Sequence, residues 1–173
     1  LFNKLTETQK ENVNAVAMDF WKPFITEAKE VFPEALIVHD RFHIDKYLND
    51  AVDKVRRAEN KELKKKKDDT LVSTKWWWLQ HPENMTDTRK KQFDELLQNE
   101  LKTGKGWALK NTFREFWKQP NRECAQLFFD NWIASVEDLD LKPLSKVAEM
   151  LERHIPEILN FFIHAVTNAV SEG

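Results

Sequence analysis

Two hydrophobic rhythms divide this chain. In the first forty residues, two short apolar runs stand out, Asn14–Asp19 (NAVAMD) and Ala35–His39 (ALIVH). Each has the unbroken character of a buried strand. Between them, Phe20–Phe32 reads as a helix, with Pro23 tolerated in its first turn and Pro33 as its stop. Strand, helix and strand in this order predict a parallel βαβ unit. A parallel pair belongs to a larger covered sheet, so its remaining strands are expected outside this chain. Upstream, Thr6-Glu-Thr-Gln9 has the form of a capping box and predicts a short helix over 6–12.

From Arg41 onward the rhythm changes. Ile44, Leu48, Ala51/Val52 and Val55 step by three or four, which predicts a helix running towards Lys67. Thr74–Asp87 reads as a linker holding an aromatic cluster. Further helices are predicted at 87–100, 105–118, 121–137, 141–154 and 156–170. Their breaks fall at Thr103-Gly104, Gln119-Pro120, Leu139–Leu141 and Ile155-Pro156. The expected fold is therefore mostly α, with a small βαβ piece at its start.

Composition sharpens this picture. The 173 residues include only three glycines, too few for a turn-rich sheet protein. Charged residues make up 32% of the chain, yet the net charge is −2, so any basic surface must be local. One cysteine, Cys124, excludes an internal disulfide and favours a reducing, cytoplasmic setting. No apolar run approaches the roughly 18 residues of a membrane helix, and no signal peptide is visible. Tryptophan occurs seven times, three of them consecutive at Trp76–Trp78.

Four features carry possible chemistry. Asp19 and Asp40 each close an apolar strand, and the carboxyl ends of parallel strands face the functional crevice of an open α/β sheet. Two such acids could share divalent cations; equally, each could cap the helix that follows. His39 and His43 have the i, i+4 spacing of a zinc pair. His39 falls on the strand, however, and no cysteine or third histidine is placed to help, so His43 reads better as a structural histidine. Lys54–Lys67 contains eight basic residues: Lys54, Arg56, Arg57, Lys61, Lys64, Lys65, Lys66 and Lys67. They could neutralise nucleic-acid phosphates, or form a solvated helix end with ordinary ion pairs. Trp76, Trp77 and Trp78 could stack on unpaired bases. They cannot all face one way, so at least one is expected in the core.

Three segments taken together, VAMDFWKPFITEAKEVFPEALIVHDRFHIDKYLNDAVDKVRR, HPENMT and VTNAVSEG, resemble DDE transposases of the ISL-three group of bacterial insertion sequences. The resemblance implies an RNase H-like catalytic core in which three acids hold two Mg²⁺ (or Mn²⁺) ions. The implied chemistry is in-line phosphoryl transfer that cleaves and joins DNA. Asp19 then resembles the second acid and Glu172 the third, so both become metal ligands. Asp40 and His43 resemble the Asp-x-x-His motif that braces the entry to a helical insertion; making Asp40 the second acid is the alternative.

The implied organisation is a partial core over 1–43, a helical insertion over 44–155 and the start of a final core helix over 156–173. The first acid is expected upstream of Leu1, so these residues alone are expected to neither cleave nor join DNA. Expected partners are insertion-sequence ends, target DNA and further copies of the transposase, with no membrane. The rival reading is a non-catalytic helical DNA-binding or protein-interaction module derived from such an enzyme.

Overall fold

The capping box at Thr6 forms as the sequence predicts. Thr6 Oγ1 accepts from Gln9 N, and Gln9 Oε1 accepts from Thr6 N, starting α1 (Glu7–Glu11). The computed structural model describes residues 4–163. After α1 come β1 (Ala15–Met18), α2 (Lys22–Val31) and β2 (Leu36–His39). The strands pair in parallel, with Ala15 opposite Leu36 and Met18 opposite His39. Among the described residues this is a two-stranded sheet. Leu36 N donates to Asn14 O and Asp40 N to Met18 O. Backbone groups alternate sides along a strand, so those of Ile37 and His39 face away from β1. That outer edge is not bare: Asn160 Nδ2 donates to Ile37 O at 2.8 Å, while Asn160 Oδ1 accepts from Arg122 Nη1.

Among the described residues, every regular element after β2 is helical, and the fold is mostly α. The helices are α3 (Arg41–Lys65), α4 (Lys75–Leu79), α5 (Asp87–Leu97), α6 (Lys102–Phe113), α7 (Arg122–Leu139), α8 (Lys142–Arg153) and α9 (Ile155–Ile158). Short 3-10 turns occupy Pro82–Asn84, Arg114–Lys118 and Leu159–Phe162. The α7–α8 break falls at Asp140, whose left-handed backbone (φ 44°) is one that Asp tolerates better than most residues. No helix among the described residues is long and apolar enough to cross a membrane.

Three expectations need correction. The linker at Thr74–Asp87 contains a helix, α4, because Trp78 is drawn into the core and its indole N–H bonds Thr74 Oγ1. The break placed at Thr103-Gly104 lies inside α6. That helix starts at Lys102 because Glu59, on α3, accepts from Lys102 N, Thr103 N and Thr103 Oγ1 and so caps it from outside. The single helix expected over 156–170 is α9 followed by a 3-10 turn as far as Phe162; the remainder lies outside the described residues.

α3, about 37 Å long at 1.5 Å per residue, is the wall shared by two cores. Its Ile44, Leu48 and Ala51 face the main core, where Phe113, Phe116, Phe129 and Trp132 pack with Leu144 and Leu151. Val52 faces a second cluster containing Leu71, Trp78 and Phe93. A buried lysine joins these layers: Lys110 Nζ donates to Trp78 O at 2.5 Å and to Asn49 Oδ1 at 3.0 Å. The βαβ unit has a smaller core of its own, Met18, Ile25, Ala28 and Ile37.

Candidate active site at the carboxyl end of the sheet

The parallel register brings Asp19 and Asp40 off the sheet at the same end, one residue beyond Met18 and His39. Their environments then diverge. Asp40 is buried at 4% exposure and is the N-cap of α3. Its Oδ1 accepts from Phe42 N at 3.0 Å, and its carbonyl accepts from His43 N at 3.1 Å. What sets this carboxylate apart is its burial and its use, through Oδ1, in starting a helix.

Asp19 is open. Its side chain is 39% exposed, and Oδ1 accepts from the adjacent Phe20 N at 2.6 Å. Its other oxygen, Oδ2, lies 3.4 Å from His43 Nδ1. His43 sits in the first turn of α3, three residues past the cap. The Asp-x-x-His spacing therefore works across strands: Asp40 fixes where α3 begins, and α3 delivers His43 to the acid of the neighbouring strand. An imidazole beside one oxygen restricts the carboxylate's rotamers and leaves hard oxygen lone pairs facing solvent. That donor chemistry fits a divalent oxygen-seeking cation. Glu172 lies outside the described residues.

The two histidines paired by spacing have separate roles. His39 is buried, with its ring stacked on Phe20 at 4.1 Å and Nδ1 3.4 Å from Met18 O. Its ring stands edge-on to that of His154, 5.1 Å away. Burial, reinforced by the nearby His154, lowers the pKa of His39 to about 4. Sequence spacing gave no sign of this partner, because His154 arrives from the far end of the helical bundle.

The basic run is mostly solvent-facing. Lys54, Arg57, Lys61 and Lys64–Lys67 are exposed, with Lys65 paired to Glu62 at 2.8 Å. Arg56 differs: it is buried and bonds Asp53 through Nε and Nη2, which withdraws it from any phosphate surface. The tryptophans divide as their adjacency requires. Trp76 is 65% exposed beneath Lys75 Nζ, Trp77 is half-buried, and Trp78 is wholly buried and cannot stack on a base.

Comparison with known proteins is consistent along the chain. A family model described as "Transposase", that of ISL-three DDE transposases, matches residues 1–173. The chain is 24% identical over 175 aligned residues to the transposase for insertion sequence element IS1001 of Bordetella parapertussis. The alignment covers 99% of this chain and 43% of that protein, so the chain spans less than half of its relative. No solved structure matches.

Proposed function

This chain belongs to the ISL-three family of DDE transposases, and on that premise we propose that it supplies part of an active site for metal-dependent cleavage and joining of DNA at insertion-sequence ends. Asp19 is the metal-binding acid contributed by the sheet. The observation that carries this reading is the contrast between the two strand-end carboxylates. Asp40 is buried and committed to a helix cap, whereas Asp19 is half-exposed and braced by His43 at 3.4 Å.

Glu172, in the family motif, is the acid that would join Asp19 in holding Mg²⁺ or Mn²⁺. When bound, such ions supply Lewis-acid stabilisation of the leaving oxygen and activation of the attacking hydroxyl. The chain's own contributions are positional. Asp19 holds its oxygens at a fixed strand end, His43 limits their rotation, and Asp40 sets the register of α3. The βαβ unit fits one edge of an RNase H-like sheet, since parallel strands occur in larger covered sheets. The helices over 44–155 are then the insertion.

DNA contact within the insertion falls to Lys54, Arg57, Lys61, Lys64–Lys67 and Trp76. These groups are exposed, and a lysine cluster neutralising phosphates makes affinity fall steeply with salt.

The test uses the transposase that carries this segment, with oligonucleotides bearing its element's ends. Asp19→Ala should abolish strand cleavage and transfer in Mg²⁺ and in Mn²⁺ while DNA binding persists. His43→Ala should slow the reaction with a smaller loss. Full activity of Asp19→Ala would remove Asp19 from the site. Charge reversal at Lys64–Lys67 should weaken DNA binding and flatten its salt dependence; unchanged titrations at two salt concentrations would remove the basic helix from the interface.

A further inference from the structure

His39, His154 and Glu157 form a second constellation that the proposed active site does not use. One ligand-capable atom from each lies within 4.8 Å of the others. They come from the end of β2, the turn between α8 and α9, and the first turn of α9.

Three features point to a ligand. First, His39 is 1% exposed, and its Nε2 has no hydrogen-bond partner among the described residues. The indole nitrogens of Trp107 and Trp117 are open as well, but they carry N–H donors, whereas an imidazole nitrogen can offer a lone pair to a metal. Second, the other ring nitrogen is already oriented. With Nδ1–H directed at Met18 O, Nε2 carries the lone pair, and ligating histidines commonly turn their second N–H to a backbone carbonyl in this way. Burial also keeps the ring neutral, the form that binds a metal. Third, His154 and Glu157 are spaced i, i+3 on one turn, so they share a face. Both line an open cavity of about 600 Å³ bordered by Lys29 and Arg153, which leaves room for a water ligand.

We propose that His39, His154 and Glu157 bind a zinc ion that ties the end of β2 to the start of α9. Two imidazoles, a carboxylate and a water suit zinc, whereas Mg²⁺ prefers oxygen donors alone. The present 4.8 Å spread is wider than a tetrahedral zinc needs with bonds of about 2.0–2.2 Å. Closure therefore falls to the two partly exposed members. Glu157 must leave Lys29, now 3.3 Å away in a partly exposed pair, and His154 must turn inward, while His39 stays fixed between Phe20 and Met18. Lys29 and Arg153 are the local positive charges that oppose a cation.

The test is zinc titration of the untagged, metal-stripped chain by calorimetry, with Co²⁺ as a spectroscopic substitute. One zinc per chain should bind with micromolar or tighter affinity, and Co²⁺ should give the strong visible absorption of a four-coordinate site. His154→Ala and Glu157→Gln, both at partly exposed positions, should each weaken binding by at least about tenfold. Lys29→Gln should strengthen it by releasing Glu157, and His81→Ala should leave it unchanged. The proposal is overturned if no zinc binds at micromolar concentrations. It is also overturned if binding survives His154→Ala intact, or if it is lost in His43→Ala instead, which would place the ion beside Asp19.

Discussion

The βαβ unit and the helical bundle are held together by different means. The unit's own core cluster consists of Met18, Ile25, Ala28 and Ile37, none of them aromatic. The bundle buries a network of rings in which Phe113 contacts Phe116, Trp117 and Trp132. Yet Asp19, the open acid, stands on the weaker piece. The contrast teaches that the site is positioned by borrowed stability. β2 leans on the bundle through Asn160, and α3, which delivers His43, is itself a bundle helix.

The largest expected effect breaks the stronger partner. Phe113→Ala opens a cavity among packed rings and should cost about 3–5 kcal/mol. Urea unfolding should show sheet and bundle lost in one transition. If the sheet signal keeps its wild-type midpoint while the bundle unfolds earlier, the unit does not depend on the bundle.

The next effect concerns pH. Burial lowers the Lys110 pKa to about 8 from its ordinary 10.5, against the pull of Asp45. Between those values the unfolded chain holds the proton and the folded chain has released it. Stability should therefore rise as pH climbs through this window, by at most about 1.4 kcal/mol per pH unit. Lys110→Met should abolish the rise. Parallel slopes for wild type and variant in urea titrations at pH 8 and pH 10 would show that another group is responsible.

Asn160→Ala sharpens the comparison at the joint itself. It strips Ile37 O and Arg122 of a partner and should cost about 1–3 kcal/mol. Hydrogen exchange should quicken in β2 more than in α6; equal protection in both would mean that the joint carries no load. Glu59→Ala, confined to the bundle, should cost about 1–2 kcal/mol by uncapping α6, and circular dichroism should report fraying there. A loss confined to β2 would contradict this assignment.

Much of the architecture was legible because its signals are local. The capping box at Thr6, the two apolar strands and the stripe of Ile44, Leu48 and Ala51 each sit within one segment, and each formed. Adjacency required the three tryptophans to divide, and the structure puts Trp78 in the core and Trp76 outside it. What could not be read was supplied from a distance. α6 begins where it does because Glu59 reaches it from α3, and α4 exists because Trp78 finds a core built by Phe93 and Leu71. The candidate site divides the same way. Strand-end acids are visible in sequence, but which one is open depended on Asp40 becoming a cap, and the partner of His39 was hidden in His154.

The amide of Asn160 has one further consequence. By occupying Ile37 O it closes one margin of the sheet. The opposite margin, where Ala15 and Ala17 point their backbone groups, makes no such bond among the described residues. Of the two margins, the one beside β1 is the more open to a further strand. A strand that joined it there would align beside β1. Each addition would move Asp19 from the rim of the sheet towards its middle and deepen the cleft around it, while Asp40 stays at the sealed border.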